Sequence, residues 1–267
     1  MKRIAVSVLA CVSLLAGAQQ PKPAGTSLGS VTVSGSMPVE KSYRKMVEGM
    51  DLFERLKPEF APQAQLRYKL LPRKPGTNMD DVQLEVVGNT FAYPVAVAPD
   101  RTFTLARDAK AIAEDAVVSP NRKRLTMTWR TEVRTPGLPA NTRRLGDLRL
   151  ECRVGIQASL VSNTNPLTQA ISDLLTSPTR YCSQKNSKYL FFAERALFSV
   201  TLESGTRREV LAIDQLYAKA SDDPGLKADL PFCDCEVMLD RTYFLPLGDA
   251  SWPDDTRVVF EFMEDAP

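Results

Sequence analysis

Apolar and polar residues alternate along much of the chain. The alternation is clearest in QLRYKLLP (Gln65–Pro72), VQLEVVG (Val82–Gly88) and RLTMTWRTEV (Arg124–Val133). A period of two places the apolar side chains of a strand on one face and its charged side chains on the other. These stretches therefore predict strands of antiparallel sheets that have one buried and one solvated face.

Further strands are predicted toward the C-terminus. LRLECRVGI (Leu148–Ile156) alternates with Cys152 on its apolar side, which indicates a strand with a buried cysteine. ALFSVTL and REVLAI flank the turn Glu203–Thr206 and predict a hairpin. CEVMLDRTYFLPL and RVVFEFM predict the last strands.

Two stretches have helical spacing instead. Between Pro38 and Pro58, apolar residues recur at intervals of three and four, which predicts an amphipathic helix that stops at Pro58. NPLTQAISDLLTSP (Asn165–Pro178) carries a cap residue, a proline at the first position and an apolar stripe, which predicts a short helix near 166–176.

The pattern as a whole indicates a mostly-β fold of one or two antiparallel β-sandwich modules, with the N-terminal helix and the short helix attached. The length favours two modules. We expect a helix-plus-sandwich domain over 38–162, and over 163–267 a second β-rich module or a continuation of the same sandwich.

The first residues, MKRIAVSVLACVSLLAGAQQ, resemble a bacterial secretory signal. A basic start, a short apolar run and the small residues before Gln19 predict cleavage after Ala18, followed by a flexible leader over 19–37. Lipidation at Cys11 is the competing interpretation. The apolar run is too short to span a bilayer, so we expect a periplasmic or secreted protein without a transmembrane segment.

Export changes the interpretation of the cysteines. Removal of the signal leaves Cys152, Cys182, Cys233 and Cys235, an even number in an oxidising compartment, which predicts disulfides. A bond between Cys233 and Cys235 would close a very small ring, so we expect each to pair with Cys152 or Cys182. A copper–thiolate site or an exchange-active dithiol are the alternatives.

The chain contains no histidine. This excludes Ser-His-Asp and Cys-His hydrolysis, zinc sites with histidine ligands and histidine acid–base catalysis. A hydrolase that uses two carboxylates remains open. Asp222–Gly225 and Asp254–Asp255 are typical of turns, and we predict no metal site, cofactor or catalytic residue. Trp129 and Trp252 are expected to be packing residues.

Charge is balanced overall but uneven along the chain. Without Lys2 and Arg3, the 34 basic and 32 acidic residues become equal in number, which argues against nucleic-acid binding. Residues 121–153 carry nine basic and three acidic residues, and residues 221–267 carry three basic and twelve acidic residues. Either the two segments complement one another in the fold, or the basic one forms a surface for an anionic cell-envelope ligand or another envelope protein.

Within the basic segment, TPGLPANTRRLGDLRL (Thr135–Leu150) is the candidate contact region. A proline-rich loop that carries Arg143 and Arg144, with Arg149 close behind, could hold a carboxylate or phosphate through paired guanidinium groups. Solvent-facing arginines at a strand edge are the plainer explanation.

VQLEVVGNTFAYPVAVAPDRTFTL (Val82–Leu105) combines a strand, a glycine turn and a V-x-x-D-x-x-F hairpin. It resembles the carboxypeptidase regulatory-like, or transthyretin-like, β-sandwich modules. Arg101 stands where that family usually has glycine after the aspartate. The family is non-catalytic, so the resemblance implies a binding or stabilising module.

We therefore expect an exported, non-catalytic binding, interaction or envelope-structural protein. The first alternative is a histidine-free hydrolase of cell-wall or polysaccharide substrates. The second is a periplasmic thiol or copper protein that uses Cys233 and Cys235.

Overall fold

The computed structural model describes residues 39–123, 125–160, 177–185, 189–217 and 238–265. All of them belong to one unit, Gly35–Pro267. The predicted signal over 1–18, the leader over 19–37, the helix near 166–176 and the module boundary at 162–163 lie outside the described residues. So do Cys233 and Cys235.

Thirteen strands and four α-helices make up the described part of the chain. The strands are β1 (Lys41–Ser42), β2 (Gln65–Pro72), β3 (Leu84–Val87), β4 (Ala92–Val95), β5 (Thr102–Phe103), β6 (Val117–Pro120), β7 (Met127–Arg134), β8 (Thr142–Arg144), β9 (Phe191–Phe192), β10 (Leu197–Ser204), β11 (Arg207–Val210), β12 (Thr242–Tyr243) and β13 (Arg257–Phe262). The helices are α1 (Tyr43–Phe60), α2 (Ala109–Ala113), α3 (Leu145–Gln157) and α4 (Pro178–Cys182).

These strands form four sheets with the orders β1-β6-β3-β4, β11-β10-β13-β8, β5-β2-β7 and β12-β9. Every pairing within the described residues is antiparallel, so the mostly-β prediction is confirmed. The longest ladder joins β2 to β7, from Gln65 opposite Arg134 to Pro72 opposite Met127.

The strand predictions hold best in the first predicted strand and in the C-terminal hairpin. Gln65–Pro72 forms β2 over its whole length, and the predicted hairpin at Glu203–Thr206 joins β10 to β11. Gly205, in that turn, has a φ of 58°, which a glycine adopts without strain. In the predicted C-terminal strand Cys235–Leu247, the described residues form a 3₁₀ turn and only the two-residue β12.

Helix α1 begins at Tyr43, because Ser42 caps it by accepting a hydrogen bond from the Lys45 N–H. The prediction that it stops at Pro58 is wrong, because the helix contains Pro58 and ends at Phe60. Its buried face packs against α3. At the crossing, a Cβ on Gly49 would lie 2.8 Å from the Ala158 Cβ and 3.2 Å from the Val154 carbonyl oxygen. Glycine is the residue that permits this approach, which explains a poor helix former in mid-helix.

Helix α3 corrects one prediction. The alternation in Leu148–Ile156 predicts a strand, and this prediction is wrong: the residues lie within an α-helix. Every side chain position from Leu145 to Gly155 is buried, so this helix has no solvated face and no amphipathic stripe. Its charged residues are buried against partners on several sides. Because they alternate with apolar residues in the sequence, they produce the two-residue period of a strand.

A disulfide joins α3 to α4. Cys152 bonds Cys182 with an S–S distance of 2.05 Å. Both residues were expected to pair with Cys233 or Cys235, so the favoured connectivity is wrong, although the expectation that these two cysteines form disulfides is confirmed. The connection follows from α3 being a helix, since one face of it presents Cys152 to the short helix α4.

Three apolar clusters fill the interior. The first packs around β10 and β13 and includes Trp252. The second packs α1 against β2, β3 and β7 and includes Trp129. The third lies at the α1–α3 contact. Both tryptophans are fully buried, as expected for packing residues.

Candidate functional site

Arg143, the first candidate contact residue, lies in β8 and is buried. Its Nη2 donates to the Glu151 carboxylate and to the Val133 carbonyl, both at 2.6 Å. Burial alone would lower the pKa of this guanidinium, but the Glu151 carboxylate raises it, so Arg143 keeps its charge. Burial also pushes the pKa of Glu151 upward, and the charge of Arg143 opposes that shift. Arg143 therefore stabilises the interior of the fold and is not exposed to a ligand.

Arg149 is buried as well, on α3. It forms an ion pair of 2.6 Å with Asp254 and donates to the carbonyl oxygens of Leu247 and Asp249. This links the basic segment 121–153 to the acidic C-terminal segment, so the two complement one another at this point. Arg144 is half-buried at the end of β8, opposite Arg257 of β13. The structure does not bring the three arginines to a common exposed surface.

A groove that can hold a ligand lies elsewhere, on the solvent face of the β2–β7 ladder. It has a volume of about 630 Å³. Gln65, Arg67 and Lys69 of β2 form its floor with Glu132 and Arg134 of β7. Alternation along β2 sends Tyr68 and Leu70 into the core and these polar residues outward, which is why one face of a regular ladder is so densely charged.

The floor is arranged in cross-strand rows. Arg67 lies opposite Glu132, and Lys69 lies opposite Arg130. Opposed residues of an antiparallel pair have their side chains close together, so unlike charges attract and like charges repel. The second row thus pairs two cations in register, but Arg130 does not line the groove, and its guanidinium donates to the Leu160 carbonyl. Arg130 lies with its guanidinium 5.1 Å from the ring centroid of Phe192 and is 8% exposed.

The walls come from four segments outside the two strands. Residues 99–101 flank β2 and contribute Pro99, Asp100 and Arg101, and the other side is formed by Pro136, Glu194 and Arg241. Lys69 ties the two sides together: its Nζ donates to the Asp100 carbonyl at 2.6 Å and to the Glu194 carboxylate at 3.3 Å. The two sides of the groove are thus connected by contacts between parts of the chain that lie far apart in sequence.

Of the three carboxylates in the groove, Asp100 is strongly held. The Thr102 hydroxyl and backbone N–H donate to its Oδ1 at 2.7 and 3.1 Å. These hydrogen bonds, that of the hydroxyl first, lower the pKa of Asp100 below its usual range, and nearby Lys69 and Arg67 add to the effect. Asp100 is therefore ionised and acts as an anchor for its turn.

The groove contains five cationic side chains against three carboxylates. The cations are Arg67, Lys69, Arg101, Arg134 and Arg241. Glu194 is shared between Lys69, at 3.3 Å, and Arg134, at 4.0 Å. Arg241 donates to the Glu194 carbonyl at 2.7 Å. No lining residue is aromatic, so the described groove offers no stacking platform for a base or a sugar ring.

No protein-family model, curated protein or solved structure matches the chain. Within the described ranges, no three histidine, cysteine, aspartate or glutamate residues are placed to hold a metal ion. None of the helices in those ranges has both the length and the apolar character that crossing a bilayer requires. The geometry of the groove is therefore the main guide to function.

Sequence reasoning identified the strands of this site but not the site. Arg67 and Lys69 alternate outward as the pattern of Gln65–Pro72 predicts, whereas Arg134 lies just beyond the predicted strand Arg124–Val133. Arg130, which the same pattern places on the solvated face, is only 8% exposed. The signal that could have indicated a groove is the density of cations on facing strands, which becomes visible only once β2 is paired with β7 in register. Arg101 and Arg241 join them through loops, and nothing in the local pattern indicates that.

Proposed function

We propose that the protein is an exported, non-catalytic binding protein whose β2–β7 groove holds an anionic ligand of the cell envelope. One observation carries the proposal: five cationic side chains line a groove of about 630 Å³ on a rigid sheet. Two of the three opposing carboxylates, Asp100 and Glu194, are already occupied by contacts within the protein.

The position of Lys69 at the middle of the floor supports this function. Lys69 is also only 16% exposed, so its charge is partly desolvated and interacts more strongly with a ligand than a fully solvated lysine would. The site thus favours negative charge at the middle of its floor.

Asp100, one of the three carboxylates of the groove, does not favour the hydrolase alternative. A two-carboxylate hydrolase needs one acid that stays protonated to donate to the leaving group. Asp100 has the opposite property, because its hydrogen bonds with Thr102 lower its pKa. Binding without catalysis is the simpler function for this arrangement.

A β-sandwich is the architecture that we propose for the N-terminal half. Leu84, Val86 and Val118 from one sheet and Leu70 and Trp129 from another contribute to the same apolar cluster, as two sheets packed face to face would. The stretch Val82–Leu105, which resembles carboxypeptidase regulatory-like modules, supplies β3 and β4 to the first sheet and β5 to the second. Non-catalytic binding agrees with that resemblance.

Export is supported by two independent features. The first 18 residues have the three-part pattern of a cleavable signal. The disulfide between Cys152 and Cys182 belongs to a class of bond that persists in oxidising compartments.

Anisotropy titration at low salt tests the groove, with fluorescein-labelled poly-L-glutamate and polygalacturonate as the anionic probes. We expect Arg67→Gln with Arg134→Gln to weaken binding of at least one probe by about tenfold, because two charge-assisted contacts are lost. The matched control is Arg55→Gln with Arg208→Gln, which removes the same charge from exposed positions outside the groove.

Binding of either probe should also fall as salt rises. The proposed function is wrong if neither probe binds, or if the control pair weakens binding as much as the groove pair does. Either result would mean that the groove has no special affinity for anions.

A further inference from the structure

One residue of the groove is held in a backbone conformation that does not suit it. Arg101 has a φ of 62°, which lies in the left-handed region. In that region the Cβ atom of a residue comes too close to the backbone carbonyl oxygen that follows it. The conformation is fixed from both directions: the Arg101 N–H donates to the Ala98 carbonyl at 2.8 Å, and its own carbonyl accepts from the Leu70 N–H at 2.9 Å. Glycine would adopt this turn without strain.

No structural contact of the side chain compensates for the strain. Arg101 is exposed, and its guanidinium forms no hydrogen bond or ion pair with any other described residue. It stands at the wall of the groove, on a turn that Lys69 and Asp100 anchor to the sheet. Strained residues that lack a structural reason concentrate at functional sites.

The floor also indicates the kind of chain that fits. Its rows are two residues apart on β2, which corresponds to about 6.8 Å along a strand. Side chains on one face of an extended peptide repeat at the same spacing. The remaining lining, Leu71 with Pro72, Pro99 and Pro136, is apolar and not aromatic, which suits the side chains of a peptide better than the rings of a polysaccharide.

We propose that Arg101 is a ligand-contact residue and that the ligand is an extended acidic polypeptide segment, whose carboxylates bind Arg101 and the cations of the floor. This inference rests on the proposed function of the groove. Arg101 supplies a guanidinium that has no partner among the described residues, and it can bind a carboxylate in the two-point manner that arginine favours.

The test uses the full chain and labelled poly-L-glutamate, with polygalacturonate as the competing class of polymer. Arg101→Gly and Arg101→Asn both remove the cation and both tolerate a positive φ. We expect each to weaken poly-L-glutamate binding by about fivefold to tenfold. The melting temperature should stay the same or rise by a few degrees, since the strain is relieved.

This combination separates a ligand contact from a structural role, because loss of a structural residue lowers the melting temperature together with binding. Arg55→Gln controls for the loss of one surface charge and should leave both quantities unchanged. The role of Arg101 is overturned if its variants bind poly-L-glutamate like the unmodified protein, or if they melt at a lower temperature.

The two proposals fail in different ways. If the Arg67–Arg134 pair matters for polygalacturonate while poly-L-glutamate does not bind, the groove remains an anion site and the peptide class is overturned. If neither polymer binds, the groove function and this inference fall together.

Discussion

Val133 shows how single side chains complete the edge of a sheet. Its N–H donates to Glu151 Oε2 at 2.8 Å, and its carbonyl accepts from Arg143 at 2.6 Å. The buried Arg143–Glu151 ion pair thus forms hydrogen bonds with the N–H and the carbonyl of Val133. Without it, these two backbone groups could pair with a further strand. Asp147 does the same for the Thr135 N–H and hydroxyl, at 2.7 and 2.8 Å. Helix α3 therefore covers the free edge of β7 through its carboxylates.

Replacing Glu151 tests this arrangement. Glu151→Gln keeps the shape but leaves the buried Arg143 without a counter-charge, so we expect the free energy of unfolding to fall by roughly 3–5 kcal/mol. Urea titration measures it. Asp51→Asn, which breaks the exposed pair with Arg107, should change stability by less than about 1 kcal/mol. Equal effects of the two changes would contradict a special role for the buried pair.

At the scale of elements, α3 is the centre of the described fold. It packs against α1 where Gly49 permits close approach, covers the edge of β7, holds the C-terminal loop through Arg149 and bonds α4 through Cys152. Each neighbour takes a different face of the helix, which is why a helix with four charged residues is buried throughout. The same contacts place β7, and with it the floor of the groove.

The disulfide of α3 gives the prediction at this scale. Its two cysteines are 30 residues apart, so the chain-entropy model assigns the bond about 3–4 kcal/mol. Cys152→Ala with Cys182→Ala should lower the free energy of unfolding by about that amount. Non-reducing peptide mapping of protein isolated from cells should show the crosslinked peptide, and the export that we propose predicts a mature N-terminus at Gln19.

The same map decides the status of Cys233 and Cys235. With Cys152 bonded to Cys182, these two can be joined to each other or carry free thiols, and alkylation before digestion distinguishes the two states. Free thiols would favour the thiol or copper alternative. A peptide that links Cys152 to Cys233 or Cys235 would contradict the connectivity described above.

At the scale of the whole molecule, the absence of histidine shapes the response to pH. No side chain with an ordinary pKa in the neutral range is present apart from free thiols. Three carboxylates have lowered pKa values because neighbouring hydroxyl groups donate to them: Thr102 to Asp100, Thr90 to Glu114 and Ser251 to Asp249. Each is stabilised in its ionised form by the fold.

These shifts predict acid sensitivity. A lowered pKa in the folded state contributes stability above the unfolded value, 3.8 for Asp and 4.5 for Glu, and that contribution is lost as the pH falls through the folded value. We expect urea midpoints to be nearly constant from about pH 5 to pH 8 and to fall below about pH 4.5. Asp100→Asn, which keeps an acceptor for Thr102, should make the fall shallower.

Glu151 acts in the opposite sense, because burial raises its pKa, and repeating the titration in Glu151→Gln removes it from the comparison. A steep change in stability between about pH 5.5 and pH 7.5 in that variant would contradict the prediction, since no histidine is available to cause it.

The local sequence pattern was sufficient to predict the structure of a segment that has the core on one side and water on the other. β2 was predicted over its whole length, because one face meets the core and the other meets water, and alternation records that difference directly. The turn at Gly205 followed from turn chemistry, and the burial of Trp129 followed from its place on the apolar face of an alternating stretch. The antiparallel, mostly-β class follows from the number of such segments.

Tertiary structure decided what depends on partners distant in sequence. Because α3 is buried on every side, its sequence does not show the amphipathic pattern of a helix. Arg143 and Arg149 are buried because Glu151 and Asp254 neutralise their charges. The pairing of Cys152 with Cys182 depends on α3 being a helix. The cations of the groove belong to two strands and two connecting segments, and the ladder and its neighbouring turns bring them together. The sequence by itself determined which faces avoid water and which chemistries are absent; only the folded chain determined which charges meet, because electrostatic and packing energies depend on distances in space.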